Sequence, residues 1–557
     1  MGSLSGVCDG QPTRENENSR VLPAGIDSDT FDKAFDAVAL VIGEENVSRT
    51  HEYGGLEGPQ GEKWYGDHYE MRGAGRNTPS GAFRPKTVEE IQHIMKIANE
   101  YNLPLWVFSR GKNLGYGCTS GVEKGTVMLD LNRMKKIIEV NEEYAYAIVE
   151  PGVSFFDLHD YIKEPKIKLW ISCPALGWGS VLGNTTERGF GYTQYGEHSQ
   201  AQCGMEVVLP NGEIIRSGMG AMENSDMWAL FKGGYGPSID GLFFQSNLGI
   251  VTKMGIHLQP APRHFVDCEV SVPNEEDLLA LTSTIARLER SGVIQNHASI
   301  SNSYRQTIFA GPDTWGPLFP YWAARKAVPY AVLNDIREAK GWGFWKAEFA
   351  LYGSQHVCDA AWREAKEAFE VIPGVKFNAT PQSESTLGGP LVPSEMIKGA
   401  IPHSGLPVLD PLELMKIRGK GGAHTCFSPL FPPNSRQLHQ WYLRSKALVE
   451  EAGIDYFSDF HVYGRYVIAI IVLIYGPEDG PRIDKLYKDL MEDAAKESVS
   501  EYRTHIDYMD DIAGHYNWND GAQRRFLQAV KDLTDPRGVL NQGKSGLWNA
   551  GKRKTTR

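Results

Sequence analysis

The sequence predicts an α+β fold arranged in two domains, and three observations support this prediction. The chain has 557 residues, which at roughly 100–200 residues per domain leaves room for two large domains. Short strands, glycine-rich turns and a few helices fill residues 31–262. After Gln259-Pro-Ala-Pro262 the pattern changes, and longer strands alternate with amphipathic helices up to about residue 500. This second pattern is typical of helices that cover one antiparallel sheet.

In the first domain, residues 31–262, the signals are local and regular. Thr87-Val-Glu-Glu90 is a capping box, and the helix that it opens carries apolar residues at helical spacing from Val88 to Ala98. A strand over Leu103–Ser109 then leads into the glycine-rich segment 109–117. The other elements expected before the glycine-dense stretch 170–260 are strands at Thr126–Leu131 and Tyr144–Glu150 and a helix at Phe155–Lys163.

The second domain, residues 263–502, has longer elements, and a helical tail rich in polar and aromatic residues follows at 503–557. The strands are expected at Phe265–Val272, Phe344–Leu351 and Tyr456–Tyr475. The helices are expected near Glu275–Arg290, Val357–Phe369, Ser435–Glu451 and Arg482–Lys496. At the other end of the chain, residues 1–30 are rich in glycine, asparagine and glutamate, which predicts a mobile N-terminal segment.

Composition excludes several classes of function. The chain has 57 Lys+Arg against 69 Asp+Glu, a formal net charge of −12, and it has no long basic run of the kind that binds nucleic acid. The 7 cysteines are scattered without the spacing of a metal site, which favours a reducing compartment and no metal. No apolar run approaches the 18 or so residues of a membrane span, and residues 1–25 lack the apolar core of a signal peptide. We therefore expect a cytoplasmic protein.

One motif match is misleading. Gly538-Val-Leu-Asn-Gln-Gly543-Lys544-Ser545 fits the phosphate-binding pattern of nucleotide hydrolases letter for letter. That mechanism needs a preceding strand and a following helix whose first turn holds the phosphates. Here a helix-like run and Asp535-Pro536 come first, and only 12 residues follow Ser545. We do not expect nucleotide hydrolysis, but Lys544 remains a candidate for contact with a cofactor.

Segment 109–117, Ser-Arg-Gly-Lys-Asn-Leu-Gly-Tyr-Gly, has the composition of a backbone anion site. It follows a strand, and the N–H groups of Ser109, Gly111 and Asn113 can converge on a pyrophosphate. An ordinary turn has the same composition, so the segment alone leaves both interpretations open. Neither Gly115-Tyr-Gly117 nor Gly189-Phe-Gly191 completes the G-x-G-x-x-G pattern, so a Rossmann dinucleotide domain is not supported.

Taken together, the motifs resemble those of the vanillyl-alcohol oxidase / 4-cresol dehydrogenase family of FAD enzymes. They occur in that family's order and spacing from about residue 80 to about residue 550, and jointly they are specific although each alone is not. Besides 109–117, the matching segments are Val149-Glu-Pro-Gly-Val153, Gly179-Ser-Val-Leu-Gly-Asn184, Glu187-Arg-Gly-Phe-Gly-Tyr-Thr-Gln-Tyr-Gly196, Ile239-Asp-Gly-Leu-Phe243, Ser246-Asn-Leu-Gly-Ile-Val251, Gly422-Ala-His424, Glu501-Tyr-Arg-Thr-His505 and Gly543-Lys-Ser-Gly546.

The resemblance implies a two-domain α+β flavoprotein. Its FAD-binding domain is of the p-cresol methylhydroxylase type, completed by the C-terminal tail, and an antiparallel-sheet cap domain covers the flavin. The resemblance also implies covalent attachment of FAD to His424, although a lone histidine is more often a hydrogen-bonded structural residue. The other residues that it assigns to FAD are Ser109, Arg110, Gly111, Lys112, Asn113, Pro174, Ala175, Gly179, Ser180, Asn184, Glu187, Gly189, Tyr192, Val251, Arg503 and Lys544.

Tyr116, Tyr502 and Arg503 match the family's phenol-binding group and are the predicted catalytic residues. A free phenol titrates near pH 10, so its ionisation at pH 7 costs about 4 kcal/mol. One guanidinium and two hydroxyl donors in a dry pocket can supply interactions of that size. The alternative is that Tyr116 packs in the core and Arg503 pairs with a carboxylate. Because adjacent strand residues face opposite sides, Tyr502 and Arg503 can share a site only in an irregular turn.

Some positions depart from the family pattern. Within Ser172–Trp178, the family's oxidases carry an aspartate where this chain has Ala175, and alanine neither donates nor accepts a proton. Dehydrogenases of the family also lack that aspartate, so its absence weakens the assignment as an oxidase without implying lost activity. The other departures are Cys426 and, within the run Tyr456–Ile468, Asp459, His461 and Tyr466. They argue against vanillyl alcohol itself as the substrate.

The resemblance and the residues together predict an FAD-dependent oxidoreductase that moves a hydride from the benzylic carbon of a para-substituted phenol to flavin N5. The phenol becomes a p-quinone methide, which adds water or rearranges, and dioxygen is the expected electron acceptor. Three alternatives stay open: a dehydrogenase with a protein or quinone acceptor, an oxidative cyclase that traps the quinone methide internally, and a flavin-binding protein that has lost catalysis. By analogy with the family we also expect a homo-oligomer, a dimer or larger.

Overall fold

The structure, a computed structural model, describes residues 20–52, 64–73, 75–163, 167–384, 391 and 403–553. Most of the segment 1–30 therefore lies outside the described residues, and a helix begins at Ser28 within it. The described strands are, in chain order, β1 (Val47–Ser48), β2 (Gly81–Phe83), β3 (Leu105–Phe108), β4 (Val127–Asp130), β5 (Ile137–Asn141), β6 (Tyr146–Val149), β7 (Leu169–Trp170), β8 (Gln202–Val208), β9 (Ile214–Arg216), β10 (Ile250–His257), β11 (Gln259–Pro260), β12 (His264–Val272), β13 (Ala298–Ser301), β14 (Trp345–Gly353), β15 (Lys376–Ser383), β16 (Ala423–Phe427), β17 (Leu430–Phe431), β18 (Phe457–Tyr463) and β19 (Tyr466–Tyr475).

Helices connect and cover these strands. They are α1 (Ser28–Ile42), α2 (Val88–Tyr101), α3 (Phe155–Lys163), α4 (Val181–Thr186), α5 (His198–Ala201), α6 (Leu278–Arg290), α7 (Ser303–Phe309), α8 (Phe319–Ala323), α9 (Tyr330–Lys340), α10 (Gln355–Phe369), α11 (Arg436–Glu451), α12 (Gly480–Lys496), α13 (Met509–Gly514) and α14 (Trp518–Thr534). Within the described ranges, none of them has both the length and the apolar character needed to cross a bilayer.

Two sheets form the N-terminal part of the molecule. In the first, the order is β1-β2-β4-β3, and β4 pairs in parallel with β2 and β3. In the second, the order is β5-β6-β10-β8-β9 and the pairs are antiparallel. The predicted cap of α2 is present, because the Thr87 hydroxyl accepts the Glu90 N–H at 3.2 Å. The buried face of α2 includes Ile91, Met95 and Ala98, the stripe that the spacing predicts.

An antiparallel sheet forms the centre of residues 263–502, as predicted. Its strands follow the order β15-β12-β14-β13-β18-β19-β16, with β17 paired to β19. Every pairing in it is antiparallel. The buried faces of α6, α10, α11 and α12 join one large apolar cluster with the sheet. The α+β class is therefore confirmed.

Part of this region could not be anticipated from local sequence. Strand β13 has only four residues, two of them serine, and it lies between β14 and β18. Helix α7 begins at Asn302, whose side chain accepts the Arg305 N–H at 3.1 Å. Strand propensity depends on the neighbouring strands more than on the segment itself, so such short elements are set by tertiary packing.

The C-terminal tail returns to the N-terminal sheets. The Leu105 N–H donates to the Val539 carbonyl at 2.7 Å, and the Asn541 N–H donates to the Leu105 carbonyl at 2.8 Å. Lys531 and Asp535 form a fully buried ion pair of 2.7 Å. The Lys531 ammonium also donates to the carbonyl oxygens of two residues from different parts of the chain, Asn247 and Leu540. The tail thus completes the N-terminal part, as the resemblance implies.

Candidate active site

A cavity of about 420 Å³ lies between the N-terminal sheets and the sheet of residues 263–502. Its volume is within the range of about 300–1,000 Å³ that small-molecule sites occupy. Every residue that sequence analysis assigned to catalysis or to FAD lines this one cavity: Ser109, Arg110, Gly111, Lys112, Asn113, Tyr116, Pro174, Ala175, Gly179, Ser180, Asn184, Glu187, Gly189, Tyr192, Val251, His424, Tyr502, Arg503 and Lys544. The structure brings these residues together; what each does stays a prediction.

Segment 109–117 is held against strand β16, which carries His424. Gly111, Gly115 and Gly117 have φ values of 63°, 76° and 112°, in the left-handed region that favours glycine. A Cβ at Gly115 would lie 2.6 Å from the His424 carbonyl oxygen, so only glycine permits this approach. The Thr425 hydroxyl donates to the Gly115 carbonyl at 2.9 Å. The glycines therefore set the distance between this loop and β16.

The Arg110 side chain braces the loops around the cavity. Its guanidinium donates to the carbonyl oxygens of Trp178 at 2.8 Å and Gly152 at 2.9 Å, and to the Asn132 side chain at 3.0 Å. These three acceptors belong to three separate segments of the first domain. The guanidinium thus links three segments of the cavity wall through Nε and Nη1, and its contact with FAD stays a prediction.

Lys544 forms an ion pair with Glu187, at 2.7 Å between Nζ and Oε1. The pair joins the C-terminal tail to the loop after α4, and both residues line the cavity. The nucleotide-hydrolase pattern that contains Lys544 follows the C-terminus of α14 and enters a single 3₁₀ turn, Lys544–Gly546. It therefore lacks the strand and the long helix that a phosphate-binding loop requires.

Arg503 lies between two tyrosine rings. Its guanidinium carbon is 4.2 Å from the centre of the Tyr116 ring and 5.5 Å from that of Tyr502. The required irregular turn is present, because residues 502–503 form a bend after an isolated bridge between Glu501 and Pro429. The Tyr502 hydroxyl and the Arg503 Nε are buried and have no hydrogen-bond partner among the described residues. Buried polar groups are normally satisfied, so this pair indicates a place for a polar ligand atom.

Glu501 lies directly behind this group and is buried. Its carboxyl accepts the Tyr487 hydroxyl at 2.7 Å and the Ser428 N–H at 2.9 Å. Burial raises the pKa of Glu501 to about 8, although these hydrogen bonds act in the opposite direction. At pH 7 the carboxyl of Glu501 is therefore mostly neutral, and it does little to neutralise the positive charge of Arg503.

His424 is a neutral imidazole at the cavity wall. Burial lowers its pKa to about 4, and its Nδ1 has no hydrogen-bond partner within the described part of the chain. The ring packs edge-on against Tyr69, with ring centres 5.4 Å apart. A neutral imidazole with an unengaged nitrogen differs from the hydrogen-bonded structural histidine that was the alternative.

A carboxylate that the sequence analysis noted only as a departure, Asp459, lines the same cavity as Ala175. It lies on β18, 3.2 Å from the Arg305 guanidinium and 3.3 Å from His461 Nε2. Burial alone would raise the pKa of Asp459, but the charge of Arg305 and the proximity of His461 hold it well below its usual range. Asp459 is therefore ionised at pH 7. Tyr466 is another position that departs from the family pattern, and its hydroxyl donates a hydrogen bond to the Glu197 carboxylate.

Arg305 was missed by the sequence analysis. It lines the cavity from α7, and its guanidinium also lies 3.7 Å from Glu348 on β14. No local motif marks it, because its partners are separated from it by 43 and 154 residues in the chain. Only the sheet order that places β13 between β14 and β18 brings them together.

The residues present fit a flavin nucleotide. Three buried polar atoms, Tyr502 Oη, Arg503 Nε and His424 Nδ1, have no hydrogen-bond partner among the described residues, and all three residues line the cavity. A Cβ at Gly179 would meet only the Leu176 carbonyl oxygen, at 3.8 Å, so the space beside Gly179 is open. A large ligand with a flat polar ring system satisfies both conditions.

The chain is similar to known flavoproteins both in sequence and in fold. Residues 79–218 match a family profile described as an FAD binding domain. The chain is 33% identical over 536 residues to the 4-cresol dehydrogenase (hydroxylating) flavoprotein subunit of Pseudomonas putida, covering 95% of this chain and 98% of that protein. Its structure matches that of 4-ethylphenol oxidase from Gulosibacter chungangensis with a TM-score of 0.87 and 31% identity, over 96% and 100% of the two chains. It matches p-cresol methylhydroxylase with a TM-score of 0.82 and 30% identity, over 96% and 100%.

Proposed function

Because the chain belongs to the 4-cresol dehydrogenase family of flavoproteins and is an FAD-dependent oxidoreductase, we propose that it oxidises a para-substituted phenol at the benzylic carbon. The observation that carries the proposal is the buried, unsatisfied pair Tyr502 Oη and Arg503 Nε beside Tyr116. Relatives named for 4-cresol and 4-ethylphenol support the class of substrate.

Tyr116, Tyr502 and Arg503 bind the phenol oxygen in this proposal. Burial raises the pKa of Tyr116 well above its ordinary value although Arg503 acts to lower it, so the hydroxyl stays protonated and available as a donor. The phenol loses its proton to solvent as it binds, and two hydroxyl donors and one guanidinium stabilise the phenolate that results. The phenolate pushes electron density to the para position, and a hydride leaves the benzylic carbon. FAD, when bound, would supply the acceptor for this hydride, and dioxygen would then take up two electrons and two protons to become hydrogen peroxide.

The oxidised substrate is a p-quinone methide, which either gains water at the benzylic carbon or becomes an alkenylphenol when its side chain loses a proton and its oxygen gains one. Ala175 can assist neither step. Asp459 is the ionised carboxylate on the same cavity, and we assign it the role of the base that takes a proton from the attacking water. Its pairing with Arg305 keeps it charged in a buried position.

His424 carries the flavin covalently in this proposal, because its imidazole is neutral and its Nδ1 is unengaged within the described residues. We expect the purified protein to keep its yellow colour in the pellet after acid precipitation, and His424→Ala to release all flavin to the supernatant. The matched control is His356→Ala, an exposed histidine of α10. Release of flavin from the unaltered protein would exclude the covalent bond.

The test of the activity is anaerobic bleaching of the flavin absorbance by 4-ethylphenol, followed by re-aeration. Rapid bleaching supports a phenol oxidoreductase, and stoichiometric hydrogen peroxide on re-aeration supports dioxygen as the acceptor. Bleaching with slow re-oxidation in air and fast re-oxidation by a quinone or a cytochrome would identify a dehydrogenase. If no 4-alkylphenol bleaches the flavin, the protein binds flavin but lacks this activity.

A further inference from the structure

A group of buried histidines lies next to Tyr192, which lines the cavity. The centre of the Tyr192 ring is 5.6 Å from the ring centres of both His297 and His461, and it is 6.3 Å from that of His403. The rings of His297 and His461 are 5.1 Å apart. All three histidines are at most 5% exposed. They do not line the cavity themselves, and we call them the histidine cluster.

The imidazole nitrogens of the cluster are not used in structural hydrogen bonds. Within the described part of the chain, both ring nitrogens of His297, Nδ1 of His461 and Nε2 of His403 are buried and have no hydrogen-bond partner. Buried polar groups are normally satisfied, so these atoms indicate a role beyond packing. Metal binding is not that role, because no group of three or more His, Cys, Asp or Glu side chains that could hold a metal ion occurs among the residues that the structure describes.

Asp459 joins the cluster to the cavity. It lines the cavity, and its Oδ2 lies 3.3 Å from Nε2 of His461. The two residues are two positions apart on β18, so their side chains are on the same face of the sheet. A proton that Asp459 takes up in the cavity can therefore pass to an imidazole that does not itself reach the cavity.

Asp459 needs an onward acceptor for a proton that it takes from water. Burial would raise the pKa of Asp459, but the charge of Arg305 and the proximity of His461 hold this pKa well below its usual range. A carboxylate of low pKa is a weak base, and it returns a proton readily. An imidazole, with an ordinary pKa of about 6.5, is a stronger base than such a carboxylate.

A path leads from the cluster to the surface. Nδ1 of His403 is 2.7 Å from Oδ1 of Asp267, whose side chain is 23% exposed. Burial lowers the pKa of His297 well below its ordinary value, and the charges of His461 and His403 act in the same direction. A proton on His297 is therefore released readily. The cluster thus connects the carboxylate in the cavity with a partly exposed carboxylate.

We infer that the histidine cluster carries away the proton that Asp459 takes from the attacking water, with His461 as its first acceptor. In this step a C–O bond forms at the benzylic carbon of the quinone methide, and one O–H bond of the water breaks. The electrons of the exocyclic C=C bond shift through the ring, and the ring oxygen becomes a phenolate. The proton passes from Asp459 to His461 and leaves by His297 and His403. The inference rests on the proposed function, and His461 acts only through Asp459.

The test is the ratio of 1-(4-hydroxyphenyl)ethanol to 4-vinylphenol that the holoenzyme forms from 4-ethylphenol in a single anaerobic turnover. Without His461, a proton on Asp459 returns to the new hydroxyl group and water leaves again, so more quinone methide becomes the alkene. His461→Gln is expected to lower the ratio about fivefold, a part of the roughly 10²–10⁴-fold that a general base contributes. His297→Gln, the second variant, is expected to lower it about twofold. Flavin reduction stays unchanged in both, and an unchanged ratio in either variant would overturn the inference.

A double variant distinguishes a relay from a structural role. If His461 acts through Asp459, the ratio in Asp459→Asn/His461→Gln equals that in Asp459→Asn alone, because both changes break one path. If His461 only supports packing, the two effects multiply and flavin reduction slows as well, which would contradict the inference. The matched control is His264→Gln, at a buried histidine of β12 outside the cluster, and it is expected to leave the ratio unchanged.

The outcome also separates this inference from the proposed function. If Asp459→Asn lowers the ratio but His461→Gln does not, Asp459 remains the base and the relay is wrong. If no 4-alkylphenol bleaches the flavin, the proposed function and the relay fail together.

Discussion

Arg503→Met is expected to lower kcat/KM for anaerobic flavin reduction by 4-ethylphenol by about three orders of magnitude. Ionising a phenol at pH 7 costs about 4 kcal/mol, and each 1.36 kcal/mol is a factor of ten in rate. Arg503 is the charged member of the group that we propose to bind the phenol, and its guanidinium carbon lies 4.2 Å from the centre of the Tyr116 ring and 5.5 Å from that of the Tyr502 ring. The measurement is stopped-flow absorbance of the flavin at several substrate concentrations.

The controls separate charge from packing. Arg263→Met replaces an arginine whose side chain is 81% exposed and is expected to leave the rate unchanged. Arg503→Lys keeps the charge without the planar set of donors, so we expect a rate between those of the unaltered enzyme and Arg503→Met. A rate in Arg503→Met within threefold of the unaltered enzyme would refute the assignment of phenolate stabilisation to this residue.

The neutral state of Glu501 explains how a strongly positive site can exist inside a chain of net charge −12. Because burial raises the pKa of Glu501 to about 8, this carboxyl carries little negative charge beside Arg503 at pH 7. The net charge belongs largely to the exposed surface, where water screens it. A formal charge summed over the chain is thus a poor guide to a buried site.

Sequence analysis predicted the local geometry of the cavity wall well where short motifs determine it. The glycines at 111, 115 and 117 and the Tyr502-Arg503 pair lie in short segments whose geometry their own residues determine. Sequence analysis stated that Tyr502 and Arg503 can share a site only if they lie in an irregular turn. The structure has a bend at residues 502–503. Local backbone requirements of this kind are readable from one sequence.

What could not be predicted depends on tertiary contacts. Arg305 meets Asp459 only because β13 lies between β14 and β18, and β13 itself is too short to be recognised. The segment Asp410–Arg418, which contributes Pro411, Leu412, Leu414 and Met415 to the cavity wall, has no periodic pattern of its own. Long-range pairs of this kind are therefore the part of the cavity that local sequence describes least, and the glycine-rich loop and the Tyr502-Arg503 bend are the part that it describes best.

Asp459→Asn is expected to change the products more than the rate of flavin reduction. With 4-ethylphenol, the quinone methide gives 1-(4-hydroxyphenyl)ethanol by adding water, and it gives 4-vinylphenol when its methyl group loses a proton and its oxygen gains one. General base catalysis contributes about 10²–10⁴-fold, so removing the carboxylate should lower the ratio of alcohol to alkene at least tenfold. Flavin reduction precedes this step and should stay within about threefold. Product ratios are measured by liquid chromatography after a single anaerobic turnover.

The matched control is Glu348→Gln, because Glu348 is the other carboxylate near Arg305, at 3.7 Å, and does not line the cavity. If loss of the alcohol came only from an unpaired Arg305, both variants would shift the products alike. If Asp459 acts on water, only Asp459→Asn shifts them, because only its carboxylate can reach the cavity. An unchanged product ratio in Asp459→Asn would mean that water adds to the quinone methide without an enzymic base. The presence of alanine at position 175, which cannot act as a base, would agree with that result.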